Sequence, residues 1–332
     1  MHARIMTEKN KDRFRLLVKI CQLYYEEGLN QMEIAKRLGI SRPHVSRMLT
    51  AAKNEGIVRI SINNPFSAEQ ELEKSLIDAF GIQDALVVDS SDMEPAGLPA
   101  LLGRAGAALL ESVLRDGDIV GIMAGHTIGC TAEEMDYFAR DGLQFVPLVG
   151  GWGSDGAAWH ASTNAMAFAN KLKSKYSMFH APALVANEET GMLLRQEPEI
   201  ANVLELAKSS RVAVVSIGEV SEEATMVKSG SFSGEDMAAL KKLGAAANLC
   251  ASFLDERGQV IGFPGSNRLI GLTARELRAI PMVIGIAGGA VKVTAITAAL
   301  KGRWIDVLVT DSETARDIVA ISSPNEGNGK GE

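Results

Sequence analysis

The spacing of apolar and polar residues gives the chain two parts of different texture. In the first part, residues 9–27 repeat apolar positions at helical intervals, and residues 31–53 predict two short helices joined by a tight turn. Gly39 can supply the positive φ of that turn, and Ser41 stands where an N-cap belongs. The alternating residues 58–63 then predict a strand, so this part has the pattern of a winged helix-turn-helix.

From residue 82 onward, buried-type strands alternate with helices. The predicted strands are 85–89, 119–123, 143–150, 176–179, 212–218, 249–255, 283–288 and 307–310. The predicted helices are 98–115, 128–140, 160–173, 189–195, 198–208 and 291–301. This alternation predicts a doubly wound, Rossmann-like α/β domain, with a parallel sheet that helices cover on both faces. Ligands of such sheets bind at the carboxyl ends of the strands.

Together these patterns predict the domain organisation. The segments are a winged helix-turn-helix domain at 1–64, a linker helix at 65–81, the α/β domain at 82–321 and a disordered tail at 322–332. The amphipathic linker helix carries Leu72, Leu76 and Phe80 on one face. That face could pair with a second copy of the chain or pack on the α/β domain, and the pattern does not separate the two.

Length and composition narrow the class of protein. A chain of 332 residues suits two domains, and its three cysteines form no C-x-x-C pair, which argues against a zinc ribbon or a redox motif. No apolar run reaches the roughly 18 residues that a membrane span needs, and the amino terminus has no signal-peptide core. We therefore expect a cytoplasmic protein without a membrane partner.

Charge is distributed unevenly between the two parts. Residues 1–64 contain 12 Lys and Arg against 6 Asp and Glu, whereas the remaining residues contain 22 against 35. This is the distribution expected if only the amino-terminal part binds the phosphate groups of a nucleic acid. Chance clustering gives the same modest excess, so charge supports this interpretation without deciding it.

The outer face of the second short helix carries the side chains that favour DNA as a partner. Two helices at a sharp angle, the second with an exposed polar amino-terminal half, have the form that reads the major groove of a duplex. The candidates in and around that half are Ser41, Arg42, His44, Ser46 and Arg47. Among them, Arg42, His44 and Arg47 are the candidates for base edges or phosphates. The candidates for the phosphate backbone alone are Lys36, Arg37 and Lys53.

Three glycine-containing loops follow predicted strands, at 124–127, 150–154 and 288–292. Small residues let backbone amides approach an anion, and a helix N-terminus favours negative charge. Their candidate ligand residues are Gly125, His126, Thr127, Gly150, Gly151, Trp152 and Lys292. The glycines, a hydroxyl and an amine together predict a phosphate or another anionic ligand. Tight turns also use glycine for geometry alone, and Lys292 could be a solvated helix residue.

Other features of these loops limit the chemistry. Trp152, Trp159 and His160 could stack on or hydrogen-bond a polyol, although tryptophan is more often a core residue. Neither a G-x-G-x-x-G fingerprint in the second loop nor a G-x-x-x-x-G-K-[ST] loop occurs, so we expect neither NAD nor ATP. His126 and His160 lack a partner at metal-ligand spacing. We therefore expect no cofactor and no metal.

Several stretches of the sequence, taken in order, resemble one family. They are NQMEIAKRLGISRPHVSRMLTAAKNEGIVRISI, VGIMAGHTI, FVPLVGGWG, AMAFANKL with APALV, and IAGGAVKVTAITAALKGRWIDVLVTDSETA. Over nearly the whole chain they resemble the SorC family of bacterial sugar-responsive transcriptional regulators. The resemblance implies an amino-terminal helix-turn-helix and a carboxyl-terminal effector domain related to sugar-phosphate isomerases.

The resemblance also implies a phosphorylated sugar or polyol as the effector, held at the loops named above. Gly125 and Thr127 match the family's phosphate-binding loop. Gly150 and Gly151 match its second loop, and Lys292 matches a lysine that contacts the phosphate or the adjacent oxygen.

Two positions depart from the family pattern. Asn248 stands where the family often has a carboxylate in the motif G-A-V-G-[DE], and an amide donates as well as accepts. Val149 stands where some members have an arginine. These departures leave open which sugar is bound and whether it is phosphorylated.

The combined prediction is a ligand-gated regulator of a carbohydrate catabolic operon, acting as a homodimer or homotetramer on a palindromic operator. The alternative is a sugar-phosphate isomerase-like enzyme with a DNA-binding head, for which Asp255 or Asp311 could act as the base. Asn248 stands where an acid would be most useful to such an enzyme, so we predict no catalysis. A third interpretation makes the α/β domain an oligomerisation scaffold without a ligand.

Overall fold

The computed structural model of the protein describes residues 8–58, 67–153, 159–228, 230–263 and 266–322. Most of the strand predicted at 58–63 lies outside these ranges, as do the boundary at residue 64 and the tail beyond residue 322. The contacts within the chain divide it into two compact units, Met1–Pro65 and Phe66–Glu332.

The first unit is built around three helices. They are α1 (Glu8–Cys21), which continues as a π-helical turn at Gln22–Glu26, α2 (Gln31–Leu38) and α3 (Arg42–Asn54). Ile34 of α2 lies in one apolar cluster with Val45 and Leu49 of α3. The fully buried Leu17 and Ile20 of α1 complete this cluster. The shared core therefore holds α2 and α3 in a fixed relation to one another.

The second unit is an α/β domain. Its helices are α4 (Ser67–Phe80), α5 (Leu98–Val113), α6 (His126–Glu134), α7 (Ala161–Leu172), α8 (Glu188–Gln196), α9 (Pro198–Lys208), α10 (Thr225–Lys228), α11 (Gly234–Lys242), α12 (Ala274–Arg278), α13 (Val293–Lys301) and α14 (Ser312–Ser322). Its strands are β1 (Asp84–Val88), β2 (Ile119–Ile122), β3 (Gln144–Pro147), β4 (Lys175–Tyr176), β5 (Val212–Val215), β6 (Gly218–Glu219), β7 (Ala245–Leu249), β8 (Ser252–Asp255), β9 (Val260–Ile261), β10 (Met282–Ile286) and β11 (Val307–Asp311). Among the described helices, none combines the length and the apolar character that a membrane crossing requires.

Seven strands form a parallel sheet in the order β1-β11-β10-β5-β2-β3-β4. The central strand β5 shows how helices cover both faces. Val212 and Val214 belong to one apolar cluster with residues of α5, α6 and α7. Ala213 and Val215 point the other way, into a cluster with residues of α4, α9, α13 and α14. This arrangement confirms the predicted doubly wound fold.

The strand order changes direction between β2 and β5. From β2 the chain adds β3 and β4 on one side, and from β5 it adds β10 and β11 on the other. Loops that leave two such strands diverge and open a crevice, which is where doubly wound folds bind ligands. The topology therefore directs attention to the carboxyl ends of β2 and β5, with the end of β10 one strand away.

A second, antiparallel sheet in the order β6-β7-β8-β9 corrects one sequence-based prediction. The sequence predicts a single strand over 249–255, but the chain turns at Cys250, whose φ is +50°, and forms a hairpin of β7 and β8. Asn248 stabilises the turn, because its Nδ2 donates to the carbonyl oxygens of Cys250 (3.3 Å) and Ser252 (3.1 Å). The prediction of one strand is therefore wrong.

The helix predicted over 128–140 is also too long. α6 ends at Glu134, because Met135 leaves the helical conformation (φ −66°, ψ 126°). The Met135 side chain is buried in the same apolar cluster as α5 and α7, so packing at this point fixes the end of the helix.

α4 packs on its own α/β domain. Leu76 is fully buried, and the helix contacts both β1 and α14. The Glu73 carboxylate reaches the open edge of β1, where its Oε1 accepts the N–H of Val87 at 2.9 Å. Ala85, two residues earlier on the same strand, donates its N–H to Asp84 Oδ1 at 2.9 Å. Both outward-facing amides of this edge strand are therefore bonded to carboxylates.

Two substitutions of Glu73 are expected to measure separately what its hydrogen bond and its charge contribute to stability. Burial raises the pKa of Glu73, against the hydrogen bond from Val87. In Glu73→Gln, the amide oxygen still accepts from Val87 without a half-buried charge, so we expect slightly higher stability at pH 7. In Glu73→Leu, the buried Val87 N–H loses its acceptor, at a cost of about 1–3 kcal/mol. Urea unfolding measures both changes.

The pH dependence provides the control. A carboxyl group whose pKa is higher in the folded protein binds its proton more tightly there, so it lowers stability as pH rises through the folded pKa. The advantage of Glu73→Gln over the natural protein should therefore be larger at pH 7 than at pH 4.5. An advantage that does not change with pH would contradict this account of Glu73.

Candidate functional site

Local capping gives the helix-turn-helix its geometry. Asn30 caps α2, with its Oδ1 accepting the N–H of Glu33 at 3.1 Å, while the Glu33 carboxylate accepts the N–H of Asn30 at 2.8 Å. Gly39 ends α2 in the left-handed conformation, at φ +66°. Ser41 then caps α3, because its Oγ accepts the N–H of His44 at 3.3 Å. The predicted roles of Gly39 and Ser41 in the turn are confirmed.

The predicted DNA-reading side chains lie on the outer face of α3. Arg42, Ser46 and Arg47 are exposed, and His44 is half-buried. Arg47 Nε lies 3.4 Å from the carbonyl oxygen of Pro43 on the same helix, and Arg42 has no bonded partner in the described part of the chain. Both guanidinium groups are therefore available to an external acceptor.

The predicted phosphate-contacting residues are exposed as well. Arg37 is paired with Glu27, with 2.7 Å between Nη1 and Oε2, whereas Lys36 and Lys53 face solvent. Arg37 must therefore exchange this partner before it can bind a phosphate. Sequence reasoning missed the pair of Arg13 and Glu55, whose side chains lie 2.5 Å apart and tie α1 to the end of α3.

In the second unit, the first glycine loop leaves β2 at the point where the strand order reverses. Gly125 has a φ of +141°, and a Cβ there would lie 2.9 Å from Ser216 Oγ in the loop after β5, so glycine is required. Ser216 Oγ also donates to the carbonyl oxygen of Ala124 at 2.8 Å. α6 begins at His126, includes the buried Thr127, and has no described side chain capping its amino end. The first amide groups of a helix lack partners within the helix and favour an anion. This loop has the features of an anion site.

Asn164, which the sequence analysis did not single out, and Trp159, predicted as a stacking residue for a polyol, support this loop. Asn164 of α7 is buried, and its Nδ2 donates to the carbonyl oxygens of Met123 and Gly125, both at 3.2 Å. The ring of Trp159, 39% exposed, packs on the His126 imidazole with 4.3 Å between ring centres. The sequence signal for Asn164 is an amide on the otherwise apolar face of α7.

The second glycine loop is engaged in backbone pairing. Gly150 N–H donates to the carbonyl oxygen of Ile270 at 2.9 Å, and Gly151 N–H donates to that of Ala181, also at 2.9 Å. A Cβ on Gly150 would lie 2.6 Å from the carbonyl oxygens of Ala181 and Pro182. Gly150 therefore permits close packing of backbones, and the amides of both glycines are not free for an anion.

Trp152 and Asn248 are also engaged inside the protein. Trp152 is buried, with its ring centre 6.3 Å from that of Phe232, and its carbonyl oxygen accepts His160 Nε2–H at 3.0 Å. Asn248 is buried and uses its Nδ2 to hold the hairpin turn described above. The ligand roles of these two residues stay predictions, and Asn248 could contribute only its Oδ1.

The third glycine loop carries a cation in an unusual setting. Lys292 ends a 3₁₀ turn, Ala290–Lys292, that follows Gly289 after β10. Its side chain is half-buried, and within the described part of the chain its amine has neither an ion-pair nor a hydrogen-bond partner. Burial lowers the pKa of Lys292, and the charge of Glu219 on β6 only partly opposes this. A bound anion would supply the missing partner.

Among the residues that the structure describes, no group of three or more His, Cys, Asp or Glu side chains is placed to hold a metal ion. The candidate anion contacts described above are the first amides of α6 and the amine of Lys292.

Comparison with known proteins gives one family match for each of the two units. Residues 64–320 match the family described as "Putative sugar-binding domain", and residues 19–53 match the family "Sigma-70, region 4". The first match covers the α/β domain together with α4, and the second covers the helix-turn-helix.

Individual relatives extend over almost the whole chain. The deoxyribonucleoside regulator of Bacillus subtilis is 31% identical over 310 residues, 93% of this chain and 99% of that protein. The sorbitol operon regulator of Klebsiella pneumoniae is 31% identical over 309 residues, 92% of this chain and 98% of that protein. The crystal structure of full-length SorC from Klebsiella pneumoniae matches with a TM-score of 0.72 and 31% identity, covering 93% of this chain and 99% of that one. The chain therefore belongs to the SorC family of transcriptional regulators, with a DNA-binding region ahead of a sugar-binding domain.

Proposed function

We propose that a phosphorylated sugar or polyol binds at the carboxyl ends of β2, β5 and β10 and controls operator binding by α3. The observation that carries this proposal is Lys292, a half-buried cation that lacks a partner among the described residues. Its turn follows β10, which adjoins β5 at the crevice, and the amino end of α6 opens from the neighbouring β2. A cation and a helix N-terminus together favour an anion.

The names of the relatives suggest the class of sugar. One is a regulator associated with deoxyribonucleosides and another with a sorbitol operon. A pentose phosphate or a hexitol phosphate therefore fits best, and the genes controlled would serve carbohydrate catabolism. The exposed Trp159 beside His126 supplies an aromatic surface on which the carbon skeleton of such a ligand can rest.

The two carboxylates that could serve as the base of an isomerase already accept hydrogen bonds within the protein, which supports binding of the sugar without turnover. Asp311 is buried and accepts hydrogen bonds from Ser90, Gly289 and Thr314. Asp255 Oδ1 accepts the N–H groups of Arg257 and Gln259 within a tight turn. Asp311 is bonded through both oxygens and Asp255 through Oδ1 inside its own turn, which supports a regulator that binds the sugar without converting it. We propose that this regulator acts in the cytoplasm.

On DNA, we propose that two copies of the head read two half-sites of a palindrome, from a homodimer or a homotetramer. Arg42 and Arg47 reach base edges or phosphates from the exposed face of α3, and Lys36, Arg37 and Lys53 bind the backbone. For the effector to act, its affinity must differ between the DNA-bound and free arrangements of the protein.

A thermal-unfolding screen of the full-length protein tests the effector class. The probes are ribose 5-phosphate, sorbitol 6-phosphate and erythritol 4-phosphate, each beside its unphosphorylated parent and inorganic phosphate. We expect at least one phosphorylated probe to raise the Tm, since a ligand at 100 times its Kd adds about 2.7 kcal/mol to the free energy of unfolding.

The parents and inorganic phosphate serve as controls for that screen. Equal shifts from a sugar and its phosphate would show that the phosphate is not recognised. No shift from any probe would favour the interpretation of the α/β domain as an oligomerisation scaffold. Conversion of a probe during incubation, followed by NMR, would favour the enzyme.

A further inference from the structure

A buried carboxylate closes the carboxyl end of β11. Asp311 is 2% exposed, and its two oxygens take hydrogen bonds from separate parts of the chain. Oδ2 accepts from Gly289 N–H at 3.0 Å and from Thr314 Oγ1 at 2.6 Å. Oδ1 accepts from Thr314 N–H at 2.9 Å and from Ser90 Oγ at 3.3 Å. These four hydrogen bonds satisfy both oxygens of a carboxyl group that water does not reach, as the burial of a polar group requires.

Thr314, in the first turn of α14, extends the network toward the crevice. Its Oγ1 donates to Asp311 and also lies 2.7 Å from the N of Gly289, whose N–H is shared between the two side chains. The carbonyl oxygen of Gly289 in turn accepts Lys292 N–H at 2.9 Å, which closes the turn that carries the lysine. A continuous hydrogen-bonded path therefore runs from Asp311 and Thr314 through Gly289 to Lys292.

The backbone at Gly288 and Gly289 has little freedom to move away from Asp311 and Thr314. A Cβ on Gly288 would lie 2.2 Å from Asp311 Oδ2, so the backbone at Gly288 rests directly on the carboxylate. Gly289 has a φ of +99°, a conformation that other residues rarely adopt. The contacts with Asp311 and Thr314 therefore explain why both positions are glycine.

We propose that Asp311 and Thr314 are positioning residues for the effector site, which hold the turn at 289–292 so that the Lys292 amine is fixed before the anion arrives. The inference rests on the proposed function, because it takes Lys292 as an anion contact. Fixing the turn in advance reduces the conformational entropy lost on binding, which strengthens binding without adding a contact.

The experiment compares Thr314→Val with Thr314→Ser in the full-length protein. Valine keeps the shape but removes the hydroxyl bonded to Gly289, whereas serine restores it. Ribose 5-phosphate, sorbitol 6-phosphate and inorganic phosphate are the probes, titrated by calorimetry. We expect Thr314→Val to raise the Kd of the probes that bind about ten-fold, and Thr314→Ser to stay close to the natural protein. Thr314→Ala repeats the test if the valine variant does not fold.

A double-mutant cycle with Lys292→Met distinguishes positioning from general stability. If Thr314 acts through Lys292, Thr314→Val should have no further effect on the Kd once Lys292 is gone. Two outcomes would overturn this inference and leave the proposed function standing. One is that the increases in Kd caused by Thr314→Val and Lys292→Met multiply in the double variant. The other is an unchanged Kd in a Thr314→Val variant that folds. Failure of every probe to bind the natural protein, or binding that is indifferent to Lys292→Met, would overturn the proposed function and the inference with it.

Discussion

The double substitution Arg42→Ala/Arg47→Ala is expected to weaken operator binding by at least about 30-fold, since each arginine contact with a base is worth roughly 1–3 kcal/mol. Both side chains are exposed on α3, and neither contributes to the apolar cluster of the head. The fold of the head should therefore survive the change. Fluorescence anisotropy measures the weakening, with an operator selected from a random duplex library by the natural protein.

The matched control removes two arginines from the α/β domain. Arg104→Ala/Arg316→Ala changes the net charge equally, and both side chains are exposed. We expect this variant to bind the operator within about two-fold of the natural protein. Salt titrations add a second criterion, since removing one phosphate-binding cation reduces the slope of log K against log salt by about 0.9. Equal weakening in the two variants would show that α3 is not the reading helix.

Lys292→Met is expected to weaken effector binding by roughly 10- to 100-fold, because a hydrogen bond to a charged group contributes about 1.5–3 kcal/mol. The same change should raise the Tm of the ligand-free protein, since methionine removes a half-buried cation and keeps the length of the side chain. Calorimetric titration of ribose 5-phosphate and sorbitol 6-phosphate measures the first effect, and thermal unfolding without ligand measures the second.

Two observations check the role of Lys292. Because burial lowers the pKa of its amine, the natural protein should lose effector affinity with rising pH before an ordinary lysine titrates, near pH 10. Lys301→Met, at the exposed far end of α13, the helix that follows Lys292, is the matched control and should leave the Kd unchanged. A lower Tm for ligand-free Lys292→Met would mean that the amine has a stabilising partner.

The head was predictable because its signals are local. Gly39 and Ser41 act within three residues of their own position, through a left-handed turn and an N-cap, so the sequence alone reveals both. The hairpin at Cys250 was not predictable in the same way. Its positive φ belongs to a residue other than glycine, and its support comes from the buried amide of Asn248. A run of apolar residues across such a turn looks like one strand.

The effector site was predictable only in part. In the sequence, the loop at Gly150 and Gly151 looks as suitable for an anion as the loop at Gly125. The difference lies in partners from distant segments. Ile270 and Ala181 take the amides of Gly150 and Gly151, whereas no described side chain caps the amino end of α6. The order of the strands in the sheet determines which loops meet at the crevice, and this order cannot be deduced from the residues of the loops themselves. The prediction of Lys292 as an anion contact is unchanged.

The carboxylates along β1 have a consequence for solubility. An edge strand with free amides is a template on which a second chain can add a strand and begin to aggregate. Here the outward amides of Ala85 and Val87 already have acceptors, and an approaching strand would meet negative charge. At the opposite edge, β4 is only two residues long and includes Lys175. Both edges of the seven-stranded sheet thus resist the addition of a strand from a second chain.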